Sequence, residues 1–260
     1  MGRTLIETSA GYMHVRTEGS GQTPLVLLHM SPLAGSQFDP IAPLLATDRL
    51  VVIPDRIGFG HSDRVSEPLS IVQHGRATLD ALDALGIEKC DLYGGHTGSV
   101  EAIEMAVSYP DRIRRVAVDG LVIYDAADEQ SFRERYVPPP TPTEDGSHLA
   151  WYWSWWTGLR LPDWDASFMQ RRTFDHVDSS PDFWQTYIAV IDHPHREQIP
   201  LVTQPFLVLA PRDHLYEQTH TARDVLPPHA EFLDLPHLLC DEPVAFASSE
   251  VAEHLSSFFV

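Results

Sequence analysis

The stretch Leu92-Tyr93-Gly94-Gly95-His96-Thr97-Gly98-Ser99-Val100 decides how the chain folds. It joins KCDLYG (Lys89 to Gly94), a short strand-like run, to a helical pattern over residues 97 to 109. Glycines at 94, 95 and 98 allow a strand to turn into a helix with almost no loop between them. Outward from this turn lie further short apolar runs: LVLLH (Leu25 to His29), RLVVIPD (Arg49 to Asp55) and RRVAVDG (Arg114 to Gly120). Helical patterns at residues 36 to 46 and 70 to 85 separate them. Strands that are apolar on both faces and alternate with helices predict a mostly parallel sheet covered on both sides. TLIETSAG and YMHVRTEG, ahead of the first buried run, predict an antiparallel hairpin at the sheet edge.

The alternation breaks after Tyr124. VPPPTPTEDGS (Val137 to Ser147) is too rich in proline and polar residues for core strand or helix. All six tryptophans (Trp151, Trp153, Trp155, Trp156, Trp164 and Trp184) follow within residues 151 to 184. The strand–helix rhythm resumes at QPFLVLAPRD (Gln204 to Asp213) and AEFLDLP (Ala230 to Pro236), and a helical pattern over 242 to 259 closes the chain. The organisation is therefore a core formed by residues 1–124 and 199–260, with residues 125–198 inserted as a Trp-rich helical cap. Aromatic side chains bury large areas anywhere, so the tryptophans suit the cap's own core. They equally suit a ceiling over a pocket at a domain interface, for which Trp151, Trp155, Trp156 and Trp184 are the candidates.

The 260-residue length suits one such domain with an insertion. Hydrophobic residues make up 43% and charged residues 21%, an ordinary globular composition. A formal net charge of −19 repels phosphate backbones and anionic lipid, so nucleic acid and membrane are poor partners and a small molecule is the expected one. A homodimer stays open. The start MGRTLI carries neither an apolar signal core nor the Ser or Thr of a myristoylation site, and Cys90 and Cys240 lack zinc-type spacing. Both cysteines are read as buried free thiols of a cytoplasmic protein. His193-Pro194-His195 reads as a solvated helix end and not as a metal pair. Gly58-Phe59-Gly60 lacks the rest of a dinucleotide fingerprint, and no other cofactor or metal motif is present.

Five segments, in order, resemble the α/β-hydrolase superfamily. LVLLHMSPLAGSQFDPIAPLLA is similar to the segment carrying one oxyanion donor, and PDRIGFGHSD (Pro54 to Asp63) to the family's D-x-x-G-x-G-x-S loop. The turn around residue 96 resembles the nucleophile elbow, small-x-nucleophile-x-small. LVLAPRDHLY resembles the strand end bearing the acid, and LPHLLCDEP the loop bearing the histidine. The resemblance implies an eight-stranded, mostly parallel sheet flanked by helices, with an inserted cap.

One departure stands out. The family places Ser, Cys or Asp at the elbow centre, and this chain has His96. Gly94 and Gly98 flank that position symmetrically, and Pro110 lies fourteen residues beyond it, the family's usual spacing. The alternative register, in which Gly95-His96-Thr97 stands for Gly-His-Ser, would make Thr97 the nucleophile. By position the resemblance implies Asp213 as acid and His237 as base, with Asp119 a second candidate acid. It assigns the oxyanion donors to the Met30 and Thr97 amides, and His29 to a structural role. The expected activity is cofactor-free hydrolysis of a small, largely apolar carbonyl compound (ester, lactone or C–C bond) by His96, Asp213 and His237. A lyase, isomerase or cofactor-free oxygenase on the same fold, and a non-catalytic ligand-binding protein, are the alternatives.

Overall fold

The computed structural model describes residues 2–21, 23–135, 138–159, 164–179, 183–239 and 242–260. Eight strands form one sheet: β1 (Gly2–Thr8), β2 (Gly11–Glu18), β3 (Leu25–Leu28), β4 (Val51–Pro54), β5 (Cys90–Gly95), β6 (Ile113–Asp119), β7 (Phe206–Pro211) and β8 (Glu231–Leu235). Their order is β1-β2-β4-β3-β5-β6-β7-β8. The expected edge hairpin is present: β1 and β2 pair antiparallel from Gly2↔Thr17 to Thr8↔Gly11. β2 also runs antiparallel to β4, and every later pairing is parallel.

The helices are α1 (Ala42–Leu45), α2 (Ile71–Ala84), α3 (Thr97–Ser108), α4 (Ala126–Arg135), α5 (His148–Leu159), α6 (Ala166–Asp178), α7 (Phe183–Asp192), α8 (His195–Gln198), α9 (Tyr216–Thr221), α10 (Pro243–Phe246) and α11 (Ser248–Phe258). α4 to α8 lie between β6 and β7, so the segment read as an insertion is helical. Ser70 starts α2 with a capping box, its hydroxyl accepting from the Gln73 amide while the Gln73 side chain accepts from the Ser70 amide. The helix expected over 36 to 46 is instead a 3-10 turn at Gly35–Phe38 followed by α1, because Pro40 and Pro43 interrupt it. Pro43 is tolerated only because it falls in the first turn of α1. The closing helix is likewise split into α10 and α11.

Successive strand residues point to opposite faces, and both faces are covered. Val26, Leu28, Val52, Leu92, Val116 and Val118 pack with α2 and α3. Leu25, Leu27, Val51, Ile53, Tyr93 and Ala117 pack with α1 and α11. Each such fully buried Leu or Val contributes about 1.5–3 kcal/mol, which is why the strands lack the polar alternation of a half-exposed sheet. Cys90 is buried in the first of these layers, and burial pushes its thiol up to about 12. Cys240 lies outside the described residues. No helix among the described residues is long and apolar enough to cross a membrane.

The inserted helices are tied to the core by polar contacts. Arg172 of α6 forms a fork with Glu242, at 2.9 Å from Nε to Oε1 and 2.5 Å from Nη2 to Oε2, and both side chains are buried. The Ser36 hydroxyl donates to Asp175 at 2.8 Å, and the Tyr187 hydroxyl donates to the Ser31 carbonyl at 2.8 Å.

Candidate active site

β5 ends at Gly95 and α3 begins at Thr97, so a single residue makes the turn. His96 has φ 50° and ψ −114°, and is the one non-glycine residue with positive φ among the described residues. Such a conformation strains a residue that carries a Cβ and persists only where its surroundings enforce it. The enforcement is steric. A Cβ on Gly94 would lie 2.1 Å from the Gly98 carbonyl oxygen, and a Cβ on Gly98 would lie 2.0 Å from that of Leu28. Only glycine fits at either position, so strand and helix meet closely enough to force the turn onto residue 96. Thr97, the alternative centre, is already helical.

The His96 amide donates to the Asp119 carbonyl at 3.0 Å, and the His96 carbonyl accepts from the Ser99 amide and hydroxyl. Its imidazole lies over Gly120. A Cβ there would stand 2.4 Å from His96 Cδ2 and 2.7 Å from Nε2. Gly120 is visible in the sequence as the end of an apolar run, but its pairing with residue 96 depends on strands β5 and β6 lying side by side.

His96 Nε2 stands 3.0 Å from Asp213 Oδ2, with both side chains nearly inaccessible. Asp213 follows β7, and its other oxygen, Oδ1, accepts from the Leu215 amide at 2.9 Å. The carboxylate is therefore held by backbone through Oδ1 and lies at ion-pair distance from the elbow imidazole through Oδ2, without the alignment of a hydrogen bond. Asp119, the second candidate acid, lies beneath the turn and accepts from the Tyr93 hydroxyl. Burial pushes its carboxyl up to about 6, against the opposing pull of His96 and Tyr93.

Two expectations need correction. The structure does not bring His237 to this site. Its side chain is 58% exposed, and Nε2 is 2.7 Å from Glu250 Oε1. β8 ends at Leu235, and the Leu238 amide closes a tight turn onto the Leu235 carbonyl. Leu238 faces inward in that turn, which leaves His237 facing out. The Met30 amide is also not available to an oxyanion, because it donates to Gln37 Oε1 at 2.9 Å. The next residue, Ser31, lines the cavity, as does Thr97 at the N-terminus of α3, where helix amides lack partners within the helix.

His29 has the structural role expected of it. Its Nε2 accepts from the Arg56 amide at 2.9 Å and its Nδ1 faces the Met30 carbonyl at 2.8 Å. Burial, reinforced by the Arg56 guanidinium, lowers its pKa to about 3, so it is neutral. Below it Arg56 pairs with Glu101 at 2.8 Å, and Glu101 accepts from Thr78.

His96 opens on a cavity of about 440 Å³, within the range of small-molecule sites. Most of the lining is apolar: Met30, Val122, Val190 and Leu215, with Trp155, Trp156 and Tyr187 from the inserted helices. Of the four tryptophans expected at a pocket, Trp155 and Trp156 are there. Trp151 instead packs on Tyr152 and His176, and Trp184 lines a separate groove beside Leu69 and Ile188. α5 and α7 each present several faces, and the sequence alone does not say which one meets the core.

His214 is a site residue that no sequence motif singles out. It lines the same cavity, with its ring centroid 5.0 Å from that of His96. Its one signal in the sequence is its position directly after Asp213. His193 and His195 do not form a pair, but neither is solvated as expected: the buried His193 side chain faces Gln198 and Glu104, while His195 is buried with its pKa lowered to about 3. Among the described residues, one group has donor atoms close enough for a metal ion, namely His14, Asp55 and His61, all within 4.8 Å. Asp55 already accepts from the Gly35 and His61 amides, which fits a hub holding its loop.

A family model described as alpha/beta hydrolase fold matches residues 23–222. The chain is 32% identical over 128 residues to 2-hydroxymuconate semialdehyde hydrolase of Pseudomonas sp. (strain CF600), a match covering 46% of this chain and 43% of that protein. It is 34% identical over 113 residues to 2-hydroxy-6-oxo-6-phenylhexa-2,4-dienoate hydrolase of Burkholderia cepacia, covering 42% of this chain and 39% of that protein. These matches thus span about two fifths of each relative's length. Among solved structures, a hydrolase from Pseudomonas aeruginosa PA01 superposes with a TM-score of 0.84 at 20% identity, covering 99% of this chain and 98% of that one. With its single-residue elbow, its sheet order and the family match over most of its length, the chain belongs to the alpha/beta hydrolase fold family.

Proposed function

We propose that this protein is a cofactor-free hydrolase of a small, largely apolar carbonyl compound, in which His96 and Asp213 act together at the elbow. The observation that carries the proposal is the 3.0 Å approach of His96 Nε2 to Asp213 Oδ2 beneath an apolar cavity. The contact is an ion pair by distance and not a well-aligned hydrogen bond. In the proposed scheme the nearby carboxylate charge favours a proton on Nε2, leaving the lone pair on Nδ1. The Nε2–Cδ2 edge of the ring lies against Asp213 and Gly120, so Nδ1 belongs to the opposite edge. Asp213 also stabilises the imidazolium that forms when Nδ1 takes a proton.

In this scheme His96 removes a proton from water as the water oxygen attacks the substrate carbonyl. The charge developing on the carbonyl oxygen is met by the Thr97 amide at the start of α3 and the Ser31 amide. Direct attack by Nδ1, giving an acyl-imidazole, uses the same groups. The bulk of an imidazole at the elbow, where a substrate carbonyl would sit, favours the water route. Esters, lactones and C–C bonds next to a carbonyl all pass through such an addition. The two curated relatives are hydrolases of unsaturated carbonyl compounds, which supports this class.

The test is turnover of an aryl-ester, enol-lactone and β-diketone panel by the wild type, His96→Ala and Asp213→Asn. Loss of about 10³-fold or more in His96→Ala, and of about 10²–10⁴-fold in Asp213→Asn, is expected. Undiminished turnover in His96→Ala would overturn the reading. One observation favours a second reading, a binding protein: the family's histidine position is vacated, since His237 faces solvent. Tight binding of an apolar carbonyl compound without turnover in the same panel would select it.

A further inference from the structure

With His237 turned outward, the site needs another group to protonate the departing atom. We propose that His214 is that proton donor, a role that rests on the His96–Asp213 reading above.

The placement is specific. His214 lines the cavity beside His96, with ring centroids 5.0 Å apart and planes tilted by 50°. Its backbone is fixed on both sides. The Arg212 amide donates to the Leu238 carbonyl at 2.8 Å, and the Leu215 amide donates to Asp213 Oδ1 at 2.9 Å, with Leu215 itself buried. The loop that aims Asp213 at His96 therefore also holds His214 at the cavity rim. Two other titratable groups in the lining, besides Tyr124, are committed elsewhere. Glu242 is held in its fork with Arg172, and the Tyr187 hydroxyl donates to the Ser31 carbonyl. Of two adjacent imidazoles one carries the extra proton at rest, because the second charge is opposed by the first, and both are charged only while the oxyanion of the adduct offsets them.

The cycle balances with that one proton. In the proposed cycle the shared proton starts on His214, with His96 uncharged. Water gives a proton to His96 Nδ1 while its oxygen bonds the carbonyl carbon. When the tetrahedral adduct collapses, the bond to the leaving group breaks and its electron pair goes to the leaving atom. His214 supplies the proton to that atom. His96 imidazolium then returns a proton to His214, directly or through water, and the net change is one water consumed per bond broken.

A donor to the leaving group matters only when that group needs a proton, which separates this role from a structural one. The experiment measures kcat/KM for aryl and alkyl esters of graded leaving-group pKa, with wild type, His214→Ala, His214→Gln and His96→Ala. The loss in His214→Ala is expected to be about 10²-fold larger on phenyl and alkyl esters than on nitrophenyl esters. The dependence of rate on leaving-group pKa should steepen in both His214 variants. An equal loss across the series, or none, would overturn the role of His214 while leaving His96 intact, provided His96→Ala is inactive. Full activity in His96→Ala, or no turnover of any ester by the wild type, would overturn the underlying reading and this inference with it.

Discussion

Gly120 and His96 are fitted to each other: the imidazole occupies the space that a Cβ at residue 120 would fill, at 2.4 Å from Cδ2. Gly120 also has φ +59°, so a side chain there adds backbone strain. Gly120→Ala should cost about 1–2 kcal/mol from the left-handed backbone alone, and more from the displaced ring. In a His96→Ser background the second part should vanish. A double-mutant cycle by urea unfolding is expected to show about 1 kcal/mol or more of coupling. Additive costs would mean that the ring is not held against Gly120.

Much of this arrangement is legible in the amino-acid sequence. The strands stand out because both sheet faces are covered, so LVLLH and RRVAVDG carry little polar alternation. The elbow register follows from Gly94 and Gly98: the closeness of Gly94 to the Gly98 carbonyl is a local consequence of a one-residue turn, whereas that of Gly98 to the Leu28 carbonyl depends on β3 lying beside β5. What stays hidden depends on contacts distant in sequence or on one-residue phase. His237 and Leu238 compete to face inward, and the turn at Leu235 awards that place to Leu238. The Met30 amide is taken by a side chain seven residues on, a bond with no sequence signature. The division of the tryptophans between cavity and helix packing depends on how α5 is rotated against α6 and α7, which six similar side chains cannot specify.

The Arg172–Glu242 fork should be a strong tie between α6 and the core. Both side chains are nearly inaccessible, at 5% and 1%, so removing one partner leaves a buried charge. Arg172→Met is expected to destabilise by about 3–5 kcal/mol. The double variant Arg172→Met with Glu242→Leu should recover much of that, since the charges leave together. Thermal and denaturant unfolding of the three variants checks this. A double variant as unstable as Arg172→Met would show that packing, not charge, carries the tie.

Asp119 should make the protein less stable as pH rises through weak acid. Its carboxyl is raised from 3.8 to about 6 by burial, so the folded chain holds a proton that the unfolded chain has released. The contribution is fully favourable below about pH 4 and is lost as pH rises to about 6. Asp119→Asn keeps an acceptor for the Tyr93 hydroxyl and removes the charge. Relative to wild type it should gain up to about 3 kcal/mol between pH 4 and pH 8. Unfolding at both pH values measures the difference, and a pH-independent difference would contradict the raised carboxyl.

His176 should act in the opposite direction. Its ring is enclosed by Trp151, Tyr152, Trp155, Trp156 and Phe183, at centroid distances of 4.3 to 6.0 Å. Neither ring nitrogen has a hydrogen-bond partner among the described residues, and burial lowers its pKa to about 3. Folding therefore holds it neutral, and the unfolded chain takes up a proton once pH drops below about 6.5. Stability from this group is intact above 6.5 and declines as pH falls toward 3. At pH 5 the loss is about 2 kcal/mol. His176→Leu is close in volume and cannot titrate. Whatever it costs at pH 8, the difference from wild type should shift in its favour by about 2 kcal/mol at pH 5, as read from denaturant midpoints at the two pH values. Equal differences at both would mean that the imidazole charges freely inside its ring of aromatic side chains, with the cation–π attraction of those rings offsetting its burial.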